Sequence, residues 1–494
     1  MRGTRQPRFC PPFFSLGISG LILLTSVLPG SCEDLSSATN ASWSQVGDDV
    51  IGYADASSSF GARVSFSDDG TRLAVGQPRA EGWKDVNMEY HGRIRVFELQ
   101  SGSWVQMGSD IIGNRYDHAG QSVALSGDGM RLAVGSPNYN SEDRWCWNDP
   151  CLYWQGRASV YEWKSGDWQL LGSHLRGNSK GEFFGSSVSL SYDGTIVAIG
   201  ARGTSSCGTC DSYVEVYKLD TTLVWYALPK IGDPGATKLV ENNGYDIAIS
   251  RDGSRVAVIT GGLRIFEVGS NGWSQFGGTD LSSGGNSGSS ASFSEDGSIV
   301  SFAGGGGGSC WLKVFRYDGD GWVQKGSTVT ASQTGYNCGT TLGRLSKDGL
   351  SIAVRHTWFS ASRGADDYLD DDYPPYPPNT VDLRRWDPSS SSWAFVDGTR
   401  LREPIRDMGF GHDVALAGNA TRLAVGIPYA HASEQYNGKV QVFDYGVASP
   451  AAPSPAAGAQ NSSAPNSVAA SCSSSGDSRA TGGTVTTVGE YTIH

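Results

Sequence analysis

A helical period is what this chain lacks most. Nowhere in its 494 residues do apolar side chains recur at the three-to-four spacing of a long amphipathic helix, which leaves all-β as the expected class. Charge is scarce as well: Asp, Glu, Lys and Arg supply 18% of the chain, below the ~25% usual in globular domains. Basic residues are the shorter side, 38 against 50 acidic, for a formal net charge of −12. An acidic surface repels phosphate backbones, so nucleic acid is excluded as an expected partner and a glycan or protein ligand is favoured. After the N-terminal segment no apolar run reaches the ~20 residues that span a bilayer. There is no nucleophile–base motif, no glycine-rich phosphate loop between strand and helix, and no cysteine spacing that supplies four zinc ligands. These absences predict a chain with no cofactor and no metal that is not an enzyme.

Turn and aromatic residues, by contrast, are plentiful, with 67 Gly, 15 Trp and 20 Tyr. One phrase recurs. Ser191-Tyr192-Asp193-Gly194 is a tight turn between two alternating apolar segments, and it returns at Ser126, Ser250, Ser294 and Ser346. A variant stands at Ser67-Asp68-Asp69-Gly70 and a degraded copy at Gly418-Asn419-Ala420-Thr421, making seven. A second phrase, Trp104-Val105-Gln106-Met107-Gly108, returns at Trp168, Trp273 and Trp322, more loosely at Trp225 and Trp393, and once ahead of the first repeat at Trp43. Each repeat thus reads as four short strands: A, the Ser-x-Asp-Gly turn, B, C, and a Trp-bearing D. Asp and Gly tolerate the turn conformations that hairpins need, so the aspartates are read as turn caps. Four strands per unit at a regular spacing predict a seven-bladed β-propeller over residues 43–446, the orphan Trp43 strand completing the last blade. The expected blades run 60–108, 118–172, 183–232, 243–277, 289–326, 339–398 and 410–445. Five consecutive glycines, Gly304 to Gly308, read as a flexible B–C loop.

The ends read differently. Residues 1–32 carry three arginines and then the apolar stretch from Phe13 to Leu28, the form of a secretory signal peptide, with an uncleaved signal-anchor as the alternative. Residues 447–494 form a low-complexity tail rich in Ala, Pro and Ser, expected to be disordered. A secreted, extracellular, monomeric protein is predicted. In that setting Cys146 with Cys151, Cys207 with Cys210, and Cys310 with Cys338 read as local disulfides, although Cys207-Gly208-Thr209-Cys210 also fits a redox pair. Asn40, Asn419 and Asn461 head glycosylation sequons.

Phe184-Gly185 before strand A and Gly135-Ser136-Pro137 after strand B resemble the FG-GAP repeat of integrin α-type propellers, as do Phe60-Gly61 with Gly76-Gln77-Pro78 and Phe410-Gly411 with Gly426-Ile427-Pro428. The hairpin also looks like that of WD40- and TolB-type propellers. The resemblance implies the propeller architecture. It would imply calcium loops between strands A and B, but here that connection is a minimal Asp-Gly turn, too poor in oxygen ligands for the six to eight calcium takes.

Every long connection falls between strands B and C, hence on one face, and repeat proteins often bind there. These loops carry Trp83, Tyr90, Trp145, Trp147, Tyr153, Trp154, Trp358 and Tyr376 as candidate ligand-binding aromatics, flat apolar rings with a polar tip suited to sugars or protein hot spots. Packing of the loops on one another is the competing reading of each ring. The acidic run from Asp366 to Asp372 reads as a solvated loop, with a cation site as the alternative. The expected function is therefore a secreted binding or adhesion module. Its rivals are a glycoside-active, sialidase-like propeller enzyme and a purely structural extracellular component. Carboxylates and arginines meeting in a central pocket would favour the enzyme; an aromatic-lined open face would favour the binder.

Overall fold

A computed structural model describes residues 41–53, 59–80, 90–140, 154–203, 212–231, 246–259, 262–278, 280–281, 287–306, 309–332, 336–360, 379–402, 409–430 and 437–447. The described regular structure is all β, in seven small antiparallel sheets whose strands run in sequence order A-B-C-D. The protein is a seven-bladed β-propeller. Blade one shows the pattern: strand A Arg63–Phe66, B Arg72–Gln77, C Arg93–Gln100 and D Ser103–Gln106. The ring closes as expected. The N-terminal strand Ala41–Gln45 pairs with Lys439–Val447, placing Trp43 opposite Tyr445, so blade seven takes its fourth strand from the other end of the chain. Five blades add a two- to four-residue strand against strand C after strand D, as Ile111–Ile112 does in blade one.

The two repeated phrases have separate structural duties. In six turns the Ser hydroxyl donates to the Asp carboxylate at 2.5–2.7 Å. The same hydroxyl accepts the backbone N–H five residues on, at 2.9–3.0 Å. Asp caps the turn through the N–H two residues on, as Asp193 does for Thr195 at 3.0 Å, and Gly194 supplies the left-handed φ of +64°. The strand-D tryptophans bind blade to blade. The indole N–H of Trp168 donates to the Met107 carbonyl, Trp225 to Leu171, Trp322 to Phe276 and Trp393 to Lys325, each in the preceding blade. Trp104 reaches Val46, beside the N-terminal strand, so blade one is tied to blade seven by the same bond.

The Phe-Gly element is structural too. Phe60, Phe184 and Phe410 are buried between blades. Gly135 of strand B sits under the carbonyl of Gly185, where a Cβ would come within 2.0 Å of that oxygen. Gly304 to Gly306 differ from expectation: they belong to strand Ile299–Gly306, paired with Ser309–Tyr317. The neighbouring strand supplies the ladder bonds that glycine's own weak strand preference does not predict. Residues 1–32, the tail from 448, and most of the long B–C stretches lie outside the described residues.

Candidate functional site at the mouth of the central tunnel

Strand A of every blade faces the propeller axis, and together the seven enclose a tunnel. Its contents follow from register. Counting back from the Ser of each turn (Ala417 in blade seven), the preceding residue is Phe66, Leu125, Leu190, Ile249, Phe293, Leu345 or Leu416. All seven line the passage as an apolar belt.

Below the belt, at the A–B turn face, the variable residue of each turn meets its six counterparts. The N–H of Asp68 donates to Gly127, Gly127 to Tyr192, and Tyr192 to Arg251; Glu295 donates to Lys347, Lys347 to Gly418, and Gly418 back to Asp68, all at 2.7–2.9 Å. Between Arg251 and Glu295 a side-chain pair bridges the ring, Nε to Oε1 at 3.1 Å. Arg251 also reaches across to the Asp68 carboxylate and lies over the Tyr192 ring, 3.3 Å from its centroid. The turn that reads as a quiet hairpin therefore builds a circular seal across this end of the tunnel.

Above the belt, toward the face bearing the B–C loops, the tunnel opens into a cavity of about 720 Å³. Two and four residues before each turn Ser the repeat mostly places Ser or Ala: Ser65, Ala124, Ser189, Ala248, Ser292 and Ala415 at the nearer position, and Ser122, Ser187 and Ser290 at the farther. These hydroxyls join strands across blades; Ser65 Oγ accepts the Leu125 N–H and Ser292 Oγ the Leu345 N–H, at 3.0 and 3.2 Å. The exceptions are Arg344 at the nearer position and Arg63, Asp246 and Asp413, with the apolar Leu342, at the farther. All line the cavity.

The exceptions converge. Arg344 forms ion pairs with Asp246 at 2.6 Å and Asp413 at 3.3 Å, joining blades four, six and seven through one guanidinium. Burial opposes its charge, but the two carboxylates outweigh burial and raise its pKa. Asp413 also accepts the Val64 N–H at 3.1 Å, tying blade seven to blade one. Arg355, in strand B of blade six, takes the place held by Gly76, Gly135, Gly200 and Gly426 in other blades, and donates to the His412 carbonyl at 3.1 Å. Burial pushes its pKa down to about 10; the pull of Asp413 opposes that, and the repulsion of Arg63 and Arg344 adds to it. His412 is pushed down to about 3, first by burial and then by Arg63 and Arg355. It is therefore neutral near pH 7. Its Nδ1 lies 3.0 Å from the Ala62 carbonyl, which only accepts, so Nδ1 carries the proton and Nε2 the free lone pair.

At the cavity rim Arg202 lies over Phe183, 4.6 Å from the ring centroid, and Phe183 stacks on Trp154 at 5.2 Å. Trp154 and Phe183 both hold left-handed backbone, at φ +58° and +51°. Trp154 is 44% exposed and is the expected aromatic that the fold brings beside this cavity. Tyr90 occupies the matching place one blade earlier, against His118 at 5.0 Å. Trp358 lies on strand Ser351–Ser360. Trp83, Trp145, Trp147, Tyr153 and Tyr376 lie outside the described residues, as do Cys146, Cys151, Cys207, Cys210, Asn40, Asn461 and the run from Asp366 to Asp372. Cys310 is buried and disulfide-bonded; its expected partner Cys338 is on strand Tyr336–Leu345. Asn419 is exposed in its turn, with its Oδ1 accepting from Thr421. Among the described residues no group of three or more His, Cys, Asp or Glu is placed to hold a metal ion. Arg63 enters the tunnel, whereas the strand arginines Arg93, Arg131, Arg157 and Arg422 are ion-paired with Asp110, Glu162, Asp117 and Asp444.

No known protein family matches the sequence, and no curated protein does. Solved structures do match. A periplasmic gluconolactonase of Pseudomonas aeruginosa is 16% identical, over 72% of this chain and 93% of its own, with a TM-score of 0.44. A protein from Lactobacillus plantarum is 15% identical over 72% and 88%, with a TM-score of 0.47. A functionally unknown protein from Desulfotomaculum acetoxidans is 15% identical over 71% and 89%, with a TM-score of 0.44. Likeness of this degree reports the propeller fold alone, and the integrin-type kinship is carried no further than that fold. The expectation that the chain is not an enzyme does not stand. One of the solved structures similar in fold is named as an enzyme, so that expectation is withdrawn, and a likeness of this degree assigns no activity in its place.

Proposed function

We propose that the protein is a carbohydrate-active propeller that takes a sugar-sized ligand into the tunnel mouth and acts on it there. One observation supports this reading: Arg63, Arg344, Arg355, Asp246, Asp413 and His412 line a single cavity of about 720 Å³, within the ~300–1,000 Å³ range of small-ligand sites. The arginines and aspartates orient hydroxyl and acidic groups of the ligand. His412, neutral and held by the Ala62 carbonyl, leaves Nε2 to accept a hydrogen bond that orients a bound hydroxyl or water. Trp154, stacked on Phe183 at the rim, offers a sugar ring an apolar platform. An oxidising, extracytoplasmic setting agrees with the Cys310 disulfide and with the signal-like residues 1–32. The test is a panel of glycosides and sugar lactones, followed by titration calorimetry and by product release. Binding is expected for at least one member, with turnover lost and binding kept in His412→Asn. Absence of both binding and turnover across the panel overturns the reading.

A further inference from the structure

The interfaces between blades are not all joined alike. Two bonds recur away from the axis. In five blades the strand-D tryptophan donates its indole N–H to the carbonyl three residues beyond the tryptophan of the preceding blade, at 2.8–3.2 Å. The arginine that opens strand B is paired with an acid of strand C and donates to a turn carbonyl of the following blade. Arg72 does so to Asp128, Arg131 to Asp193, Arg255 to Gly297 and Arg422 to Gly70, at 2.6–3.2 Å. Between blades five and six Lys325 supplies the turn bond, to the Gly349 carbonyl at 3.2 Å. Among the described residues two interfaces have neither bond. Between blades three and four the arginine's place is held by Ile196, opposite Lys218, and between six and seven by Ser351, opposite Arg385. Trp273 and Trp43 pack into these same two interfaces, and their buried indole N–H groups have no hydrogen-bond partner. The Val396 carbonyl, three residues beyond Trp393, already accepts from the Thr399 N–H and hydroxyl, at 3.2 and 2.5 Å. What joins these two seams lies near the axis. Ser187 and Ser189 accept the Ile247 and Ile249 N–H groups at the first. At the second Arg344 donates to the Val414 carbonyl and pairs with Asp413, and Arg355 donates to the His412 carbonyl. The rest of each seam is apolar contact, which is non-directional and accommodates a small tilt that a hydrogen bond resists.

We infer that the ring is built as two rigid arcs, blades seven-one-two-three and blades four-five-six, which tilt against each other at these two seams. Blade seven belongs to the first arc through the bonds of Trp104 and Arg422. The seams divide the tunnel mouth. Asp246, Arg344 and Arg355 ride on one arc, Arg63, His412 and Asp413 on the other, and all six line the one cavity. A tilt that opens the outer side of the seams therefore changes the width of the mouth between its two halves, and a ligand that touches both draws the arcs together. The device follows from the interfaces alone and does not depend on which ligand enters.

The test is thiol labelling of the full chain at one repeat position. Val75, Val134, Val258 and Val425 each stand eight residues after the turn Ser (Ala417 in blade seven), are at most 3% exposed, and pack against the preceding blade. Each is changed singly to Cys, a thiol reagent is added without denaturant, and labelling at that site is followed by peptide mass spectrometry. Val258→Cys and Val425→Cys, at the seams, are expected to label at least tenfold faster than Val134→Cys and Val75→Cys, because opening there breaks fewer hydrogen bonds. If one of these variants does not fold by circular dichroism, the other of its kind decides. Equal rates at seam and non-seam sites overturn the inference. A second arm adds Ile196→Arg with Lys218→Glu, which gives the first seam the arginine and acid that blade two has in Arg131 and Glu162. Because the arcs move as bodies, this pair is expected to slow labelling several-fold at Val425→Cys as well as at Val258→Cys. Slowing at Val258→Cys alone, or at neither, overturns the two-arc reading.

Discussion

Replacing Arg344 by Ser restores what the repeat places at this position in blades one, three and five, and it is expected to destabilise the protein. Arg344 is the sole described link between Asp246 and Asp413, whose side chains are 24% and 6% exposed. Removing one partner of a buried ionic cluster leaves the others desolvated and unpaired, at about 3–5 kcal/mol for a fully buried pair. Arg344 and Asp246 remain about a quarter open to the tunnel, so water relieves part of that loss and the expected cost is about 2–4 kcal/mol. The cost should fall by at least about half in the triple variant Asp246→Ser, Arg344→Ser, Asp413→Asn, because no carboxylate is stranded and Asn still accepts the Val64 N–H, while Arg355 loses the pull of Asp413. Urea unfolding followed by tryptophan fluorescence reads both values, with unchanged slopes required before midpoints are compared. A single variant within about 0.5 kcal/mol of the parent would show that the guanidinium's own burial offsets everything its ion pairs contribute. A triple variant as unstable as the single would show that packing, not charge, is what Arg344 provides.

Three further outcomes are expected. Gly135→Ala should cost more than ~2 kcal/mol, because its Cβ would meet the Gly185 oxygen at 2.0 Å, whereas Gly200→Ala at the same place in blade three, with nothing nearer than 3.6 Å, should be neutral or stabilising by up to ~1 kcal/mol; thermal melts of the pair decide it. Ser191→Ala removes the donor to Asp193 and the acceptor for the Ile196 N–H and should cost about 1–3 kcal/mol by urea midpoint. In Asp69, Asp193, Asp252 and Asp296 burial acts to raise the carboxyl pKa, but hydrogen bonds from the turn outweigh it and the net direction is down. Folded values below the unfolded one mean that this stabilisation is complete above about pH 4 and lost as the pH falls through the folded values, so the urea midpoint should drop between pH 7 and pH 3, and drop less in Ser191→Ala.

The blade plan was legible because two local signals agree with the global arrangement in every copy. Ser-x-Asp-Gly makes its turn from its own atoms, so the phrase and the structure coincide wherever it occurs, and even the degraded copy keeps its cap through Asn419. Trp43 was legible as the missing strand because the other tryptophans set the rule it obeys. Gly304 to Gly306 were misread because their strand character resides in the partner, Ser309–Tyr317, and no property of five glycines announces it. The circular seal of turn residues was invisible for a related reason. Asp68, Gly127, Tyr192, Arg251, Glu295, Lys347 and Gly418 follow no common side-chain pattern, and what unites them is a ring of six backbone hydrogen bonds, completed by the Arg251–Glu295 pair, that exists only once seven blades close.

The tunnel site had a sequence signal, but not in the loops. Strand A is the strand of each blade that meets the axis, and the Ser of each turn fixes its register, so positions two and four residues back point to the same level of the tunnel in every copy. At those levels a propeller needs only small residues whose hydroxyls bind the next blade, as Ser65 and Ser292 do. Arg344 breaks that rule at the nearer level and Arg63, Asp246 and Asp413 at the farther, and Arg355 stands where strand B keeps glycine in blades one, two, three and seven. A charge in such a place is desolvated and must be compensated. A single break could be repaired by one nearby partner and would say nothing of function. The five breaks come from blades one, four, six and seven and line one cavity on the axis; three of them, Asp246, Arg344 and Asp413, compensate one another as ion pairs, and the shared address is what the proposed function draws on.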